Sequence, residues 1–104
     1  MGMPWAVEVQ IRARFAPAVA ERVRLILEEA RLPKGELGAR VQMAVLKLAA
    51  GEFDSFADAL RLAETDWRDA LVAAGLEHDN WPEVLREAGM SVPQIGLEGS
   101  ADGG

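Results

Sequence analysis

Between Trp5 and Phe15 the apolar residues fall on odd positions, Trp5, Val7, Val9, Ile11, Ala13 and Phe15, while Glu8, Gln10, Arg12 and Arg14 take the even ones. An alternation of period two with β-branched residues on the apolar side predicts a half-buried strand. Val7, Ile11 and Phe15 also stand four residues apart, so the same stretch admits a helix. A lone strand leaves a row of backbone groups unpaired and needs a partner strand. The chain offers no obvious one, because 91–97 is short and holds Pro93, which cannot donate to a ladder. The expectation is therefore an N-terminal strand that pairs across a dimer, with Trp5, Val7, Val9 and Ile11 on the contact face.

From Pro17 onward the period changes to that of a helix. Val19, Val23, Ile26, Leu27 and Ala30 recur at helical spacing, charged residues fill the other face, and Arg24 and Glu28 lie one turn apart. Pro33 stops this helix. A second is expected from about Glu36 to Ala50, striped by Leu37, Val41, Val45 and Leu48, widened by Met43 and Leu46, and ended by Gly51 as a left-handed cap. Ser55 and Asp58 have capping-box spacing for a third helix carrying Phe56, Ala59, Leu60 and Ala63. Thr65 or Asp66 caps a fourth through Trp67, Ala70, Leu71 and Ala74, with Gly75 at its end and Leu76 folding back onto Leu71. Asn80 and Glu83 form the next box, with Pro82 in the first turn; Gly89 and Met90 repeat the closure against Leu85. The pattern thus predicts a mainly α protein: a compact bundle of about five helices in one domain over 1–90, the strand included, followed by a disordered glycine-rich tail at 91–104.

Composition narrows the class. Half of the 104 residues are hydrophobic and 27% are charged, which is ordinary for a globular domain. Cysteine is absent, so disulfides, thiolate metal sites and thiol nucleophiles are excluded. No stretch approaches the roughly 18 apolar residues of a membrane span, and residues 1–5 do not begin a secretory leader, so a cytoplasmic location away from membranes is expected. The net charge of −6 is unevenly placed: residues 1–50 carry eight basic against five acidic side chains, net +3, and residues 51–104 three against twelve, net −9. Such a split suits attraction within one molecule, pairing of two copies, or an acidic half that meets a basic protein.

Few residues can carry chemistry. His78, the single histidine, stands between Glu77 and Asp79 in a turn, an arrangement that could help hold a metal but more commonly belongs to a solvated loop. The carboxylates Glu64, Asp66 and Asp69 surround a helix start, where the helix dipole already accounts for them. Gly35-Glu36-Leu37-Gly38 lacks the preceding strand and the spacing of a phosphate loop. No catalytic residue, metal or cofactor is expected, and the reading is a non-enzymatic module. Trp67 and Trp81, just inside helix starts, suit either the core or an interface because each indole N–H wants a partner; with Arg68 they join the N-terminal face as a candidate interaction surface.

An alternative is a nucleic-acid-binding regulator. A strand with Glu8, Gln10, Arg12 and Arg14 outward, followed by two helices, resembles the ribbon-helix-helix arrangement, with Arg12, Arg14, Arg22 and Arg24 as its phosphate contacts. Against it stand the outward face, which nets only +1, and the acidity of the whole chain, since phosphate contacts supply most non-specific affinity.

The stretch from Val41 through Gly51, Leu60, Ala63 and Thr65-Asp66-Trp67-Arg68-Asp69 to Gly75 resembles a segment of small uncharacterised bacterial proteins, in which a helix ending in glycine precedes a T-D-[WY]-R-D motif. The resemblance spans about half of the chain, centres on Trp67-Arg68-Asp69, implies a helical fold and a bacterial source, and brings no activity with it.

Overall fold

A computed structural model describes residues 5–90, and within them the chain forms six helices: α1 (Trp5–Arg14), α2 (Pro17–Glu29), α3 (Gly35–Ala49), α4 (Phe53–Thr65), α5 (Trp67–Ala74) and α6 (Trp81–Glu87). The disordered tail expected at 91–104 lies outside the described residues, as do the first four.

The expected N-terminal strand is a helix, and no strand occurs among the described residues. With no second strand to pair with, an extended 5–15 would leave its N–H and C=O groups unsatisfied, whereas a helix satisfies them within its own turns. The four-residue spacing prevails: Val7, Ile11 and Phe15 all turn inward, joined by Ala6 and Gln10. The period-two set is split, with Trp5 and Ala13 exposed and Val9 half-buried. Val7 and Ile11 therefore belong to the core rather than to a contact face, and pairing of strands across a dimer has no strand to carry it.

α3 is the central element, packed against α1, α4 and α5. Its apolar residues go nearly all the way round, with Ala39, Val41, Met43, Ala44, Val45, Leu46 and Ala49 buried, as expected for a helix enclosed by others. The remaining helices are amphipathic and give this core Val23 and Leu27 from α2, Phe56 and Ala63 from α4, Ala70 and Leu71 from α5, and Leu85 from α6.

The turns follow the sequence signals in part. The Asp66 side chain accepts from the Arg68 amide at 3.1 Å and caps α5. At the other end of α5 Gly75 takes φ 78°, and the Leu76 amide donates to the Leu71 carbonyl at 2.8 Å, which draws the Leu76 side chain into the core. Met90 repeats this onto Leu85 at 2.9 Å. The expected Ser55 cap is not used: α4 begins two residues earlier, where Phe53 packs on Phe56 with ring centroids 5.9 Å apart. The Asn80 side chain makes no cap bond, and Ala50 precedes Gly51 into the left-handed region at the end of α3.

Candidate functional site

α1 and α2 are joined by only Phe15 and Ala16, so they fold back as an antiparallel pair. Pro17 suits the turn, being pre-set for a first helical position and lacking the amide that would otherwise go unpaired. Between the two helices runs a cleft of about 290 Å3, lined by the buried Ile11 and Ala20, by the exposed Pro17, and by Glu8 and Arg12 from α1 and Glu21 and Arg24 from α2. Two carboxylates face two guanidiniums, so the walls are formally neutral.

Trp5, Glu8 and Arg12 are spaced i, i+3, i+7 and share one side of α1, which sets Trp5 one turn beyond the cleft. It is 76% exposed, a large apolar surface left in water by a helix that buries its other side. Leu25, one turn past Glu21 on α2, is exposed as well. Isolated exposed apolar residues are common, and Trp5 itself is not part of the cleft's lining.

The wall charges are already engaged. Arg24 lies 2.7 Å from Glu21 and 3.0 Å from Glu28, the one-turn spacing expected from the sequence for the second pair. The hydrogen bond from Arg24, then its charge, holds the Glu21 carboxyl below the ordinary carboxylate range, and the same bond raises Arg24. A lowered carboxylate pKa contributes stability that is present at neutral pH and lost as pH falls through the lowered value. The pair is open to water, so the effect is small. Glu21→Gln should melt slightly below the parent at neutral pH, and thermal melts across a pH series should show that gap closing in acid.

Arg12, by contrast, stands 4.0 Å from Glu8 with most of its side chain in water. Arg14 donates to the Gln10 side chain at 3.3 Å and to the Ala88 carbonyl at 3.2 Å, and Arg22 lies 5.5 Å from the centre of the Phe53 ring. The four arginines singled out for phosphate contacts thus have partners inside the molecule, and the ribbon that would carry two of them into a groove is a helix.

Trp67 and Trp81 are half-buried and lie against the core. Each carries an arginine over its ring: Arg68 at 4.7 Å above Trp67, and Arg40 at 5.5 Å from Trp81. They sit on α5 and α6 and are not among the residues that line the cleft. His78 is exposed beside Glu77, Nε2 to Oε2 3.2 Å, and among the described residues no group of three or more His, Asp or Glu side chains is placed to hold a metal ion.

Arg40 is the residue that sequence reasoning missed. From the middle of α3 its Nε donates to the Leu76 carbonyl at 2.8 Å and its Nη2 to the His78 carbonyl at 3.2 Å, while the guanidinium covers Trp81. It fastens the α5–α6 turn to the central helix. The available signal is a lone cation inside the apolar run from Leu37 to Leu46. Arg40→Ala should cost about 2 kcal/mol, from charge-assisted hydrogen bonds and a stacked cation, both discounted for partial exposure. Arg40→Lys should recover little, since a single ammonium cannot span two carbonyls as the planar fork does. Thermal denaturation measures the loss, and the Trp81 indole N–H resonance should shift in both variants.

The arginines also show how the charge split is used. Contacts from the basic half to the acidic half run to carbonyls and rings, or from the Arg31 amide to the Glu64 carboxylate at 3.1 Å, while the ion pairs of Arg24 and of Arg61 with Asp58 stay within one helix. No described helix is long and apolar enough to cross a membrane. Compared with known proteins, the chain matches no protein-family model, no curated protein and no solved structure.

Proposed function

We propose that this chain is a non-catalytic protein-interaction module of a bacterial cytoplasm, with the α1–α2 face as its contact surface. The observation that carries this reading is Trp5, 76% exposed one turn along α1 from Glu8 of a cleft lined by Ile11, Pro17 and Ala20. Burying an indole there returns more apolar area per residue than any other exposed side chain of the described chain would, and central aromatic anchors dominate binding energy at protein interfaces. The bacterial setting rests on the resemblance through Trp67-Arg68-Asp69. The acidic half remains a second surface that would suit a basic protein by charge alone.

Photo-cross-linking tests the reading whatever the partner is. A photoreactive residue at position 25, on the α2 flank of the cleft, should give discrete adducts in bacterial cells expressing the chain, whereas one at position 61, exposed on α4, should not. Equal adduct patterns from the two positions, or none from position 25, would remove the α1–α2 face as the contact surface.

A further inference from the structure

Resting on the interaction reading above, we infer that the occupant of the α1–α2 face is a second copy of this chain, set antiparallel so that each Trp5 enters the cleft of the other copy. The charge pattern argues for it. The cleft walls are neutral as a whole, two carboxylates against two guanidiniums, so neither an acidic nor a basic partner is favoured. What fits is a surface with the same signs in reverse order, and an antiparallel copy of α1 supplies it. A two-fold axis at the level of Gln10 places Glu8 opposite Arg12 of the second copy, and its Glu8 opposite Arg12 of the first. The same axis carries Trp5 to the level of residue 15 of the second copy, beside Pro17 and Ala20 of the cleft lining.

This register is self-consistent in the way an isologous contact requires, each group meeting its counterpart twice. It also changes little within each copy. The Glu8–Arg12 pair within α1 is long at 4.0 Å and open to water, so exchanging it for two contacts between copies gives up almost nothing. The net charge of −6 opposes association at long range, but screening confines that repulsion to roughly 8 Å at physiological ionic strength.

Charge reversal with complementation tests the register. Sedimentation equilibrium should show a parent dimer, Glu8→Arg and Arg12→Glu each weakened at least tenfold in self-association, and an equimolar mixture of the two restored to near the parent affinity, because every 8–12 contact in the mixed dimer is then between opposite charges. Trp5→Ala should weaken association without altering the helical circular dichroism, since its side chain stands in water in the single copy. A parent dimer whose affinity neither single reversal changes, or a mixture that stays dissociated, would overturn the register. A parent that stays monomeric at high micromolar concentration while position 25 cross-links to another protein would overturn the second copy as occupant and leave the interaction reading standing. A monomer with no adduct at position 25 would sink both.

Discussion

Phe56→Ala is expected to lower stability by about 3–5 kcal/mol, the usual range for removing a fully buried phenylalanine. Phe56 is 0% exposed and is the meeting point of three segments. Its ring stands edge-on to Phe15 at the α1–α2 corner, 6.3 Å between centroids at 75°, and packs at 5.9 Å against Phe53, which in turn lies under Arg22 of α2. Deleting the ring would leave a cavity between the hairpin and the α3–α4 body, and the edge-to-face contact would be lost in addition to the buried area. For a domain of this size each kcal/mol moves the melting temperature by about 4–8 °C, so a fall of roughly 15–30 °C is expected in differential scanning calorimetry. Total stability of about 5–15 kcal/mol is typical, which leaves the variant folded in the cold and marginal at physiological temperature. A fall of only a few degrees would mean that the Phe15 corner collapses into the space. Phe56→Leu, which keeps most of the volume, should lose less than half as much.

Gly38→Ala should destabilise as well, although helix propensity alone predicts the reverse. In an exposed helix interior, alanine is favoured over glycine by about 1 kcal/mol. At position 38 a Cβ would overlap the backbone carbonyl oxygen of Pro33, and a backbone atom cannot swing aside as a side chain does. The approach arises because the extended link after α2 turns sharply at Gly35 into α3, laying the Pro33 carbonyl over the first turns of that helix. Relieving the overlap means shifting either the link or the start of the central helix, and forced overpacking costs about 1–3 kcal/mol. Because the overlapped atom is backbone, strain should exceed propensity, with a net loss of up to about 2 kcal/mol and a melting temperature lower by up to roughly 15 °C. A Gly38→Ala variant that melts above the parent would show that the link moves freely and that Pro33 does not anchor α3.

Phe56 and Gly38 differ in how much of their role the sequence reveals. That Phe56 lies on the apolar side of a helix is plain from its spacing with Ala59, Leu60 and Ala63. That it meets Phe15, forty-one positions away, is not, because periodicity within one helix says nothing about which other helix it faces. Gly38 gives even less away: a glycine near a helix start reads as a weak spot, and only the position of the Pro33 carbonyl explains why no side chain fits.

The candidate site divides in the same manner. Spacing marks Arg24 with Glu28, and the two side chains do pair; Trp5 is exposed, but not on the face the alternation gave it. Val7 and Ile11 share a face with Trp5 only in a strand, because a strand and a helix make opposite predictions about which odd positions stand on one side. Once 5–14 is helical, position 5 parts company with 7 and 11 and joins 8 and 12. A cleft exists there at all only because two short helices fold back across Phe15 and Ala16 and leave their facing charged rows apart.

From its sequence alone, then, the chain from Pro17 to Met90 is committed to helices with known inner faces, to the Asp66 cap and to glycine closures at Gly75 and Gly89, because these depend on residues within a few positions of one another. Tertiary structure decided the rest: the helical state of 5–14, the central place of α3, the hold of Arg40 on the α5–α6 turn, and the cleft between α1 and α2. Each of these turns on what a backbone group or side chain finds opposite it, and what lies opposite is set by the packing of segments far apart in the chain.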